Sequence, residues 1–185
     1  MPIEVVVASS VLVAAFSEIG PVAVTFPAVP PLSGRRHADA LGVFAYPDDH
    51  FALSASEATV EEVVTVLTGG VLAWSYEEAE AAVVALGQLA ERSGGGLVTA
   101  EEDVEVPPGV GASTATAIRA VCAKDLGHPR VMVTEDPVAL RFGKLHPAGI
   151  PFPPEEDVEI VDPARFARLA HQVRWRMRPA EDRSG

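Results

Sequence analysis

Three short β-branched runs limit what this chain can fold into: Ile3-Glu4-Val5-Val6-Val7, Val131-Met132-Val133-Thr134 and Val158-Glu159-Ile160-Val161. Runs this short and this apolar read as buried strands, and segments of helical periodicity lie between them. After Ser54 or Ser56 a helix carries Val60, Val63, Val64 and Leu67 on one face. Ser75 and Glu78 form a capping box for a helix with Ala79, Val83, Leu86, Leu89 and Ala90 inward, stopped at Ser93-Gly94-Gly95-Gly96. Ser113 to Lys124 reads as a helix burying Ala117, Ile118, Val121 and Cys122; Asp162-Pro163 opens a last one with Phe166, Leu169, Ala170 and Val173 inward. A short helix is expected from Arg36 to Phe44, a strand around Phe51 to Ser54, and a strand or strand-like connection from Leu97 to Val106. Buried strands alternating with helices predict a three-layer α/β domain with a central, mostly parallel sheet flanked by helices. It is expected over residues 1–173, with a Pro-rich insertion at about 20–34 and a basic tail at 174–185. A second Pro-rich loop is expected from Pro147 to Pro154.

Composition narrows the function classes. A chain of 185 residues with 48% hydrophobic and 22% charged residues suits one domain with a substantial core, which excludes disorder over most of its length. The net charge of −12 repels phosphate, so nucleic acid is restricted to a local basic patch. One such patch exists: Arg165, Arg168, Arg174, Arg176 and Arg178 collect near the C-terminus with Trp175 among them. Arginine beside an aromatic ring suits RNA, but it equally suits an amphipathic helix that pairs with a protein partner or a second copy. The acidic remainder of the chain favours the protein. Cys122, the single cysteine, excludes an intramolecular disulfide and a Cys-based zinc cluster, and fits a reducing, cytoplasmic setting. No apolar run reaches the ~18 residues needed to cross a bilayer, so no membrane role is expected. The apolar stretch from Val5 to Phe16 follows Glu4 rather than a basic residue and is interrupted by Ser9 and Ser10, so it reads as strand into helix rather than signal peptide.

Ligands of parallel α/β sheets sit beyond the carboxyl ends of the strands. The positions to inspect are therefore Ala8-Ser9-Ser10, Glu135-Asp136, and Glu61-Glu62 at the opening of the Val63 helix. No glycine-rich phosphate loop follows the first run, which argues against a nucleotide site of the Rossmann or P-loop kind.

Several segments in order resemble the PIN domain, known from ribonuclease toxins of bacterial toxin–antitoxin pairs. Val7-Ala8-Ser9-Ser10-Val11-Leu12 is similar to the family's opening V-D-T-N-V-L, and Glu62-Val63-Val64-Thr65-Val66-Leu67 to its E-L-x-x-V-L helix. Trp74 to Ala79 and Ala90 to Gly95 resemble the next helix of one PIN subgroup, Val133-Thr134-Glu135-Asp136 the V-T-G-D strand end, and Val161 to Phe166 the closing strand-to-helix step. The resemblance implies about four carboxylates at the C-terminal edge of the sheet, holding Mg²⁺ or Mn²⁺ for phosphodiester cleavage. Here the first acid is replaced by Ala8, and the D-x-x-D-like step falls at Ala112 and Ala115; Ser10 stands for the usual Asn. Glu62 and Asp136 alone remain as metal-ligand candidates, too few to hold Mg²⁺ without substrate oxygens.

Each candidate also has a structural reading. Glu62 is expected near a helix start, where the macrodipole favours it, and Asp136 before Pro137 reads as an N-cap. The run Glu101-Glu102-Asp103 with Glu105 is a solvated face or a source of substitute ligands. The expectation is a catalytically impaired PIN-like domain that binds a protein or RNA, needs no cofactor, and pairs with a partner or itself. The alternative is a Mg²⁺- or Mn²⁺-dependent ribonuclease of the toxin type with an atypical acid set.

Overall fold

The computed structural model describes residues 2–22, 24–28, 37–48, 50–127, 129–145 and 158–177. Among them the elements run β1 (Ile3–Val7), α1 (Ser9–Ile19), α2 (Ala38–Val43), β2 (Phe51–Ser56), α3 (Glu57–Thr68), α4 (Tyr76–Arg92), β3 (Gly96–Val98), α5 (Ala112–Val121), β4 (Arg130–Val133), α6 (Pro137–Phe142), β5 (Lys144–Leu145), β6 (Val158–Val161) and α7 (Pro163–Met177). One six-stranded sheet has the order β3-β2-β1-β4-β6-β5, parallel throughout except for β5, which pairs antiparallel with β6. The three β-branched runs thus become β1, β4 and β6, with Val5 opposite Val131 and Met132 opposite Ile160.

Strand alternation sorts the helices into two layers. Val5 and Val7 face one core with side chains of α1, α2, α3, α4 and α7. Val6 and Ala8 face the other with Ala117, Ile118 and Val121 of α5 and Ala139 of α6. The chain is a three-layer α/β domain. The first core is built around Phe16, Phe44, Phe51 and Phe166, each shielded from solvent, and each buried aromatic of this kind contributes about 1.5–3 kcal/mol. Within the Pro-rich insertion, Phe26 seals that core by stacking between Phe16 and Phe44, with ring centroids 5.6 and 5.0 Å away. The second Pro-rich segment lies outside the described residues.

Capping explains the helix starts. Ser56 accepts the Thr59 N–H at the head of α3, and Ser75 with Glu78 closes the expected capping box of α4. Gly95 lets β3 approach β2, because a Cβ there would lie 1.9 Å from the Leu53 carbonyl oxygen.

Three expectations need correction, and one short strand was not expected at all. The strand expected from Leu97 to Val106 is only Gly96–Val98. Beyond it Glu101 turns away, its N–H donating to the Arg119 carbonyl of α5 at 3.0 Å. β5 is a two-residue strand that a short Lys144-Leu145 step does not announce. α3 begins at Glu57, so Glu62 lies in its second turn, beyond reach of a helix-start effect. Finally, α7 runs through the expected boundary at 173/174 to Met177. Arg174 is the reason: its Nη2 donates to Tyr46 O at 2.9 Å and Asp48 Oδ2 at 2.6 Å, and its guanidinium lies 4.9 Å from the Tyr46 ring centroid. That clamp fixes α7 to the segment between α2 and β2.

Candidate functional site

The carboxyl ends of β1 and β4 and the first turn of α5 meet at one edge of the sheet. Ala8 N donates to Val133 O at 2.9 Å, which brings the segments after the two strands side by side. Neither α1 nor α5 carries an N-capping side chain of its own, since their N-cap residues are Ala8 and Gly111. A backbone N–H at the start of each is satisfied from outside. The Ser113 hydroxyl accepts the Ser10 N–H at 2.8 Å. Asp136 Oδ2 accepts the Gly111 N–H at 2.7 Å, while its Oδ1 accepts Val138 N–H at 2.8 Å and Ala139 N–H at 3.2 Å as the cap of α6.

Glu62 enters from α3. Its Oε2 lies 2.6 Å from Ser9 Oγ and its Oε1 accepts from Thr116 Oγ1 at 2.7 Å. Ser9 Oγ is also 2.8 Å from Ser113 Oγ. A carboxylate only accepts, and a hydroxyl has one proton. The single Ser9 proton is therefore shared between Glu62 Oε2 and Ser113 Oγ, and Ser113 Oγ also accepts the Ser10 N–H, so Ser9, Ser113 and Glu62 form one connected network. Ser9 is almost wholly buried, so this link acts where a lost partner is costly. A second hydroxyl pair, Thr114 and Thr134 at 2.8 Å, lies below it in the interior.

Charge at the edge is set by these bonds. Burial works to raise the Asp136 carboxyl, but hydrogen bonds from the N–H groups of Gly111, Val138 and Ala139, with the Thr114 hydroxyl, outweigh it and hold it below its ordinary value.

The structure thus gathers Ser10, Glu62, Ala112, Ala115 and Asp136 around α5, with Glu62 reaching it through Thr116 and Asp136 through Gly111. Ala8 stands at the same edge but is fully buried in the α5-side core, so an acid there would lie among apolar side chains. The Glu101 run joins none of this: Glu101 pairs with Lys124 at 3.3 Å and Glu102, Asp103 and Glu105 are exposed. Ser9 stood among the positions to inspect after the first strand, while Ser113 and Thr116 are the residues that sequence reasoning missed. Their signal was present in the hydroxyl-rich Ser113-Thr114-Ala115-Thr116 opening of a helix, where the PIN resemblance leads one to look for acids.

The residues do not fit the divalent ion that the resemblance implies. Such an ion takes about six oxygen ligands, several of them anionic or water. Two carboxylates are present, both are engaged in holding helices, and among the described residues no three Asp, Glu, His or Cys side chains form a group that could hold a metal ion.

The basic patch is also partly committed. Arg165 pairs with Glu159 at 2.9 Å and Arg174 is clamped to Asp48, while Arg168 is exposed on α7. The side chains of Trp175 and Arg176, and all of Arg178, lie outside the described residues. No helix among the described residues is long and apolar enough to cross a membrane. No family model, curated protein or solved structure matches the chain.

Proposed function

We propose that the chain is a PIN-like domain without nuclease activity that works by binding a protein partner. The observation that carries this reading is the use of Glu62 and Asp136. At the sheet edge where a PIN nuclease would hold its metal, Glu62 accepts two hydroxyl protons and Asp136 accepts three backbone N–H groups. These bonds turn ligand positions into structural ones, and alanine stands at the remaining positions. A net charge of −12, with two of the C-terminal arginines already paired, supports a protein partner over RNA.

The test is metal-dependent melting together with RNA cleavage. A metal site saturated at ~100 times its Kd would add about 2.7 kcal/mol, a rise of roughly 5–11 °C for a domain of this size. The expected result is no shift with millimolar Mn²⁺ or Mg²⁺ and no cleavage of single-stranded RNA above background. A rise of several degrees with Mn²⁺, with cleavage abolished by Asp136→Asn, would establish the ribonuclease alternative. Salt-sensitive retention of RNA without cleavage would replace the protein partner by RNA.

A further inference from the structure

On the α4 side of the sheet, a cleft of about 460 Å³ opens between α3, α4 and the strands, within the range of small-molecule pockets at about 300–1,000 Å³. Its floor rests on the buried core residues Val7, Leu12, Leu53 and Leu86, and the apolar side chains it leaves accessible are Val60, Val83 and Leu97. Leu97 is paired with Ala55 across the β2–β3 ladder and so lies on that same face of the sheet. It is 66% exposed, an apolar side chain left at the mouth.

Two features suggest a site rather than a packing defect. Gly87 sits in the interior of α4, where glycine costs about 1 kcal/mol relative to alanine. A Cβ there would meet nothing within 4 Å, so no packing demand explains the residue, and its effect is to keep the cleft wall open. The mouth is also acidic, with Glu57, Glu61 and Glu91 on its lining and no Lys, Arg or His among the described lining residues. The neighbouring cation, Arg92, folds back so that its Nε donates to the Gln88 carbonyl at 3.2 Å. Among the described residues, no ion pair engages the three glutamates.

We propose that this cleft binds a small cationic amphiphile, its alkyl or aryl body against Val60, Val83 and Leu97 and its ammonium or guanidinium head at Glu57, Glu61 and Glu91. The apolar floor supplies affinity without direction. The three carboxylates supply the sign, because an anionic head would be desolvated beside like charges. This site is independent of the proposed function and does not use Glu62 or Asp136.

The experiment measures binding of decylamine, decanol and decanoate to the full chain by calorimetry at low salt, below micelle formation. Decylamine is expected to bind roughly fivefold or more tightly than decanol, the scale of an exposed ion pair, and decanoate weakest. Added salt should remove the preference for the amine. The triple variant Glu57→Gln, Glu61→Gln and Glu91→Gln should bring decylamine down to the level of decanol while leaving decanol unchanged. Gly87→Phe, which fills the cleft from its wall, should abolish both, with circular dichroism showing the fold retained. The proposal is overturned if the three probes bind equally or not at all, or if the charge variants leave the amine preference intact. It is also overturned if the chain self-associates and Gly87→Phe abolishes that, which would assign the cleft to a second copy.

Discussion

Ser113 on α5 supplies the N-terminal cap that α1 lacks: its hydroxyl accepts the Ser10 N–H at 2.8 Å across 103 positions of sequence. A cap delivered from another helix couples the two helices, because losing it both frays α1 and breaks the link to Glu62. Ser113→Ala should therefore cost about 1–2 kcal/mol, at the upper end for lost caps. Ser10→Ala, which removes an exposed hydroxyl and leaves the backbone donor in place, should stay within about 0.5 kcal/mol. Urea unfolding midpoints of the two variants test the contrast, and equal midpoints would contradict the role given to Ser113.

Asp136 should behave as a structural carboxylate. Asp136→Ala removes the cap of α6 and the acceptor for Gly111, and should cost about 1–2 kcal/mol. Asp136→Asn keeps the capping oxygen and should cost less. Because the folded carboxyl lies below its unfolded value, its contribution is fully present at neutral pH and is lost as the pH falls from about 4 through the lower folded value. The gap between wild type and Asp136→Ala should accordingly narrow in acid. A gap that is constant from pH 7 to pH 3 would refute the assignment.

The Arg174 clamp depends on a planar fork that lysine cannot reproduce. Arg174→Lys and Arg174→Ala should both lower the melting temperature, and each should be non-additive with Asp48→Ala because the two residues share one contact at 2.6 Å. Strict additivity in the double-mutant cycle would show that the clamp contributes nothing measurable.

What the sequence made legible follows from the range of the interactions involved. The strands at Val5, Val131 and Val158 and the Ser75–Glu78 capping box are written in contiguous residues, and they form as expected. Asp136 as an N-cap was equally local. The Glu62 hydroxyl partners were not legible, because Ser9 lies 53 positions away and Thr116 lies 54. Arg174 was misplaced for the same reason: by composition it belongs to a basic tail, but its partners at Tyr46 and Asp48 lie more than 120 positions upstream. β5 owes its strand state to β6 alone, a tertiary effect that two residues cannot encode.

Cys122 is buried, and burial pushes its thiol up to about 12. A thiol in that state offers almost no thiolate at neutral pH. Ellman's reagent should therefore label the native chain only as fast as the chain opens, and one equivalent at once in denaturant. Rapid native labelling would show that the α5 layer is loosely closed.

Two glycines should respond in opposite directions to a single methyl group. Gly87→Ala should raise stability by about 0.5–1 kcal/mol through helix propensity alone, since the space is open. Gly95→Ala drives a Cβ into the Leu53 backbone and should cost several times as much or prevent folding. Thermal melts of the pair settle the matter.

The sheet finishes on one side with β3, three residues long. A free strand edge is a template on which further chains can add, and a long flat one seeds aggregates. Here the template ends almost as soon as it begins, closed off at its start by the tight Gly95 approach to Leu53. Exposed Leu97 thus sits on an edge too short to recruit a neighbouring strand, and lengthening β3 by substituting β-branched residues after Val98 would trade that protection for a growing surface.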